Sequence, residues 1–189
     1  MSSIVINICK GLVIAALITL SACAPSVQPE HLVPQSMVLP NHGADSPLHG
    51  SIVITKVGGG EEANLLMVPQ VGNTELQEAL RLSLSQYGFL SASNAAARFR
   101  LEVFLIELKQ PVSGFAMIVD SFVRYKLIRS RDGKVLYDDI VTASYKATVD
   151  DAFFGPERLK LANEGSIRAN IAAFLERMNS LKITESTPQ

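Results

Sequence analysis

Both cysteines, Cys9 and Cys23, stand in the first 23 residues, and all three histidines, His31, His42 and His49, come before residue 50. Everything after that must fold on apolar burial and hydrogen bonds alone. It can form no internal disulfide, thiolate metal cluster or cysteine nucleophile. A Ser-His-Asp arrangement would need a base that this part of the chain does not contain. The formal net charge of −1 argues against a nucleic-acid surface, which carries a Lys/Arg excess. The lack of Trp and an aromatic content of 6% argue against stacking platforms for sugars or bases. About 130 residues follow the proline-rich stretch, enough to bury one core.

Residues 1–22 read as a signal peptide, with Lys10 as the positive flank and residues 11–20 as the apolar run. About ten apolar residues are too few to cross a bilayer, which takes about twenty. Leu20, Ser21, Ala22 and Cys23 resemble the lipobox of bacterial lipoproteins. There, two small residues admit the backbone to the peptidase and the cysteine sulfur carries the lipid. The resemblance implies cleavage before Cys23 and anchorage through fatty acyl chains such as palmitate. Each buried methylene contributes about 0.8 kcal/mol, so two or three chains bind almost irreversibly. Ala24 stands where lipoproteins kept in the inner membrane of enteric bacteria typically have Asp. That implies the periplasmic face of the outer membrane.

Residues 23–49 contain Pro25, Pro29, Pro34, Pro40 and Pro47. Proline disfavours helix at itself and at the preceding residue, so the segment is expected to be an extended tether behind the lipidated Cys23. Its histidines have neither ligand-pair spacing nor an accompanying thiolate, and solvated side chains are expected.

Residues 51–57 are β-branched and end at Gly58, Gly59 and Gly60, as a strand and a flexible turn would. No Lys-Ser/Thr follows, so these glycines are not a phosphate loop. Residues 65–69 read as a short extended stretch. Thr74 with Gln77 has the capping-box pattern and Gly88 can close the far end, giving a helix over 74–87 with Leu76, Ala79, Leu80, Leu84 and Tyr87 as its apolar stripe. Residues 98–108 alternate: Phe99, Leu101, Val103 and Leu105 point one way, while Arg100, Glu102, Phe104 and Ile106 point the other, towards an expected partial cover. A strand over 119–128 turns at Asp132 and Gly133 into another over 135–145. A helix over 156–181 buries Leu159, Ile167, Ile171, Phe174, Leu175 and Met178. Residues 183–189 are expected to be a disordered tail. The order β-α-β-β-β-α predicts an α+β two-layer sandwich over residues 50–182, one four-stranded mixed sheet with both helices on one face.

No set of catalytic residues, metal ligands or cofactor contacts emerges. Asp138 and Asp139 are strand neighbours and point to opposite faces. Asp150 and Asp151 precede the last helix, where carboxylates favour its positive end. Asn163, Glu164, Arg168 and Asn170 read as that helix's solvent face and edge. Two loops are unusually apolar. Phe115 and Met117 lie between two strands, and Phe153 and Phe154 precede the final helix. Either they seal the ends of the sandwich or they form a partner-binding surface.

The lipobox, the proline-rich tether and the stretches at 76–80, 87–89, 101–103 and 143–145 resemble the YajG-like outer-membrane lipoproteins. The element order is also similar to the lipoprotein subunit of the lipopolysaccharide-export translocon and to lipoprotein activators of peptidoglycan synthases. The translocon subunit usually has Gly-Trp after the lipidated cysteine, where this chain has Ala24 and Pro25. The resemblance implies a non-enzymatic adaptor, anchored in the membrane and binding a cell-envelope protein or glycan. A second reading is a lipid- or lipopolysaccharide-handling module with an apolar pocket between helices and sheet. A large apolar pocket would favour the second reading, a filled core the first.

Overall fold

The computed structural model describes residues 27–40, 43–61 and 70–183. Four strands, β1 (Ile52–Gly58), β2 (Phe99–Lys109), β3 (Met117–Arg129) and β4 (Val135–Ala147), form one sheet in that order. Helix α1 (Asn73–Gln86) lies between β1 and β2, which run parallel, and the other neighbouring pairs are antiparallel. Helix α2 (Gly155–Ser180) follows β4. The architecture is the expected α+β sandwich with a mixed sheet and two α-helices. Leu76, Leu80 and Leu84 of α1 share one buried cluster with Ile167, Ile171 and Phe174 of α2 and with Leu101, Val103, Val123, Tyr125 and Val141 of the sheet. Both helices therefore cover the same face.

Local chemistry sets the ends of the elements. Gly88 adopts φ 74°, Phe89 N–H donates to the Leu84 carbonyl at 2.8 Å and Gly88 N–H to that of Ser85 at 3.1 Å. This is the glycine stop anticipated for α1. Its start differs from the expectation. The N-cap is Gly72, without a side-chain cap, so Thr74 and Gln77 form no capping box. Asn73 Oδ1 instead accepts from Gly60 N–H at 2.8 Å. The glycine run is close packing rather than slack: a Cβ on Gly59, at φ 82°, would lie 2.0 Å from the Leu105 carbonyl oxygen. Residues 65–69 lie outside the described residues.

The largest departure concerns the tether. Val27, Leu32 and Leu48 belong to the main core, and Pro29–Leu32 forms a 3-10 turn. Tyr87 Oη donates to the Pro34 carbonyl at 2.9 Å, and Arg168 to that of His31 at 2.6 Å. The prolines exclude helix and strand here, but Val27, Leu32, Val33 and Leu48 are apolar side chains that gain by covering α1 and α2. At the other terminus, Leu181 and Ile183 also pack on the core rather than fraying.

Candidate functional site

The sheet has an inner and an outer face, and the outer one carries no layer among the described residues. On it, Phe104, Ile106, Ile118 and Ile140 are each about half exposed. The expectation that β2 is covered on its second side therefore fails, because two helices suffice for one face only. An open groove of about 460 Å³ is lined there by Lys56, Phe104, Ile106, Arg124, Lys126 and Ile140. Paired charges border it. Arg124 binds Asp138 through two hydrogen bonds of 2.7 and 2.8 Å, and Lys126 Nζ lies 3.8 Å from Glu102. The guanidinium holds the Asp138 carboxyl below its ordinary pKa. Asp139, on the inner side, binds Arg177 at 2.6 Å, so the two neighbouring acids do point apart.

A second surface lies at one end of the sandwich. Phe115 is 87% exposed, Phe153 94% and Phe154 63%, and Val112 is also fully exposed. These side chains do not fold inward to seal the sandwich. Met117 does: it is buried with Val119, Ala147 and Ala162, because the strand begins there and turns it to the inner face. Met117 is thus core, not docking surface. Arg158, itself buried, ties the two loops together. Its Nη1 donates to the Ala152 and Phe153 carbonyls at 2.8 and 3.1 Å, and its Nη2 to that of Gly114 at 3.0 Å. Three carbonyl dipoles face this guanidinium, and no carboxylate pairs with it among the described residues. Sequence reasoning missed Arg158, since nothing local marks a helical arginine as a loop clamp. The acids before α2 do not cap it either. Phe154 is the N-cap, without a side-chain bond, and Asp151 accepts from Thr148 N–H at 2.7 Å and Oγ1 at 2.9 Å.

Between sheet and helices lies the buried apolar cluster. The Tyr125 and Phe174 rings stack with centroids 4.0 Å apart. Asn163, Glu164 and Asn170, expected on a solvent face, are buried. Each satisfies a group on a neighbouring element, which the helical pattern alone cannot reveal. Asn170 Nδ2 donates to the Val141 carbonyl at 2.8 Å, and Gln110 Nε2 to Asn163 Oδ1 at 3.0 Å. Both Glu164 oxygens lie 3.3 Å from His31 Nδ1, so His31 is docked rather than a free tether histidine. His42 and Cys23 lie outside the described residues. Among the described residues no helix is long and apolar enough to cross a membrane, and no group of three His, Cys, Asp or Glu could hold a metal ion.

No family model matches the sequence, and no curated protein matches it. Solved structures do. A DUF330 protein from Xanthomonas campestris is 10% identical, with 79% of this chain and 94% of that one covered, at TM-score 0.56. A hypothetical protein from Chlamydia trachomatis is 13% identical, with 70% and 97% covered, at TM-score 0.52. Likeness at such identities establishes a shared fold.

Proposed function

We propose that the chain is a YajG-like lipoprotein, held through Cys23 on the periplasmic face of the outer membrane, and that it works as a non-enzymatic adaptor for another envelope protein. The observation that carries the adaptor reading is the uncovered outer face of the sheet. Phe104, Ile106 and Ile140 present apolar area along its groove, and the Arg124–Asp138 and Lys126–Glu102 pairs stand beside it. An apolar centre with a polar rim is the arrangement of protein interfaces. Ile106 and Ile140 cannot stack on a sugar ring as aromatic side chains do, which suits a protein better than a glycan. The stacked Tyr125 and Phe174 rings support the adaptor over the lipid carrier, because they lie between sheet and helix where an acyl chain would have to enter.

Site-specific photocrosslinking in cells tests this. The same single adduct is expected from a photoreactive residue at position 104 or 140, and none from position 176 on the exposed side of α2. Loss of both adducts in an Ile106→Asp variant of unchanged stability supports the reading. Equal adducts from all three positions would remove the sheet face from consideration.

A further inference from the structure

We infer that the aromatic end of the sandwich sits in the bilayer that holds Cys23, with Val112, Phe115, Phe153 and Phe154 among the lipids; this rests on the lipoprotein reading above. Loop tips that expose so much apolar area gain from leaving water. Entering lipid also requires backbone polar groups to be satisfied from within. Arg158 meets part of that requirement, because it binds the carbonyls of Gly114, Ala152 and Phe153 on both loops. The same three bonds fix the loops to each other, so the aromatics are presented together. Lys160 Nζ lies 3.4 Å from Glu157, while Asp151 keeps its charge and is held by Thr148, so the rim beside the aromatics carries net negative charge. With Asp150 also exposed there, a zwitterionic bilayer suits this end better than an anionic one.

The position of the amino terminus singles out the bilayer as the occupant. Gln28 N–H contacts Glu164 Oε1 at 3.5 Å, and the His31 carbonyl accepts from Arg168. His31 Nδ1 also lies 3.3 Å from Glu164, so residues 28–31 sit against α2 at Glu164, nearer its Gly155 end than its Ser180 end. Cys23 lies five positions before Gln28, a stretch that can span at most about 17 Å. Along the helix, Glu164 is about 15 Å from the Phe154 end and about 25 Å from the Leu181 end. The bilayer anchored at Cys23 is thus within reach of the aromatic end and not of the opposite one. Docking in this way would leave the outer sheet face open to a protein partner.

The chain contains no Trp, so single Trp residues report depth without background. The full-length protein carrying Phe115→Trp, Phe153→Trp or, as control, Phe104→Trp would be purified from cells labelled with a fatty-acid analogue. Each variant would be placed in phosphatidylcholine vesicles, with and without bromine on the acyl chains. The Phe115→Trp and Phe153→Trp variants are expected to emit at shorter wavelength and to be quenched by the brominated lipid, and Phe104→Trp to do neither. A labelled protein whose Phe153→Trp emission stays water-like overturns the inference and leaves the lipoprotein reading intact. Shielding that arises only when another envelope protein is added overturns it as well, in favour of a protein partner. A protein carrying no label overturns the lipoprotein reading, and the inference with it.

Discussion

Tyr125 Oη donates to Asn170 Oδ1 at 3.0 Å, and neither residue is accessible to solvent. The bond joins the third strand to the long helix inside an apolar layer. Asn170 completes it by donating to the Val141 carbonyl and to the carbonyl and hydroxyl oxygens of Ser121. Burial pushes the Tyr125 phenol far above its ordinary pKa, so it stays neutral and remains a donor.

Asn170→Leu is expected to destabilise the fold by at least about 2 kcal/mol, since each orphaned buried group costs about 1–3 kcal/mol. Chemical denaturation measures it. Adding Tyr125→Phe should return part of the loss, because the phenol then has no unmet bond. Additive losses would show that the two residues are not coupled.

The amino-terminal segment should stabilise the sandwich. Leu32 is fully buried, so Leu32→Ala is expected to cost about 2–5 kcal/mol. A fragment of residues 50–181 should melt well below the full chain, having lost Val27, Leu32 and Leu48 from the core. Equal melting temperatures would mean that the segment's packing contributes nothing.

Gly165 lets the Tyr145 ring lie against the long helix, since a Cβ there would come within 2.3 Å of the ring. Alanine is otherwise the better helix former by about 1 kcal/mol. Gly165→Ala should nevertheless destabilise, and Tyr145→Ala in the same chain should reverse the sign. A stabilised single variant would mean that the ring is free to swing aside.

Acid should act through particular carboxyls. Thr148 holds Asp151, and Arg124 holds Asp138, below the ordinary carboxyl pKa. A group lowered in the folded state contributes stability that is fully present above its unfolded value. That contribution is lost as pH falls through the folded value, here below about pH 4. The melting temperature of an Asp151→Asn variant should therefore depend less steeply on pH in that range. Parallel curves would detach Asp151 from the acid transition.

Much of the fold was legible locally. Alternation at 99–105, the glycine stop at Gly88, the turn at Asp132 and Gly133 and the stripe from Ile167 to Met178 each depend on side chains a few residues apart. That is the range over which strand and helix periodicity acts. The exposed outer face was not legible, since apolar Phe104 and Ile106 read locally as a covered side.

The sequence alone determined the element order, the mixed sheet, the lack of an internal disulfide and the apolar character of the two loops. These follow from composition and from period, which are properties of neighbours along the chain. Tertiary structure alone decided that Met117 turns inward while Phe115, Phe153 and Phe154 stay out. It also decided that Glu164 and Asn170 are buried, that Arg158 clamps two loops and that Leu32 reaches the core. Each of those outcomes depends on a partner between 5 and more than 130 residues away, such as Phe153 for Arg158 or His31 for Glu164. Whether a polar side chain meets water or a buried acceptor is set by what packs opposite it, and no local pattern encodes that.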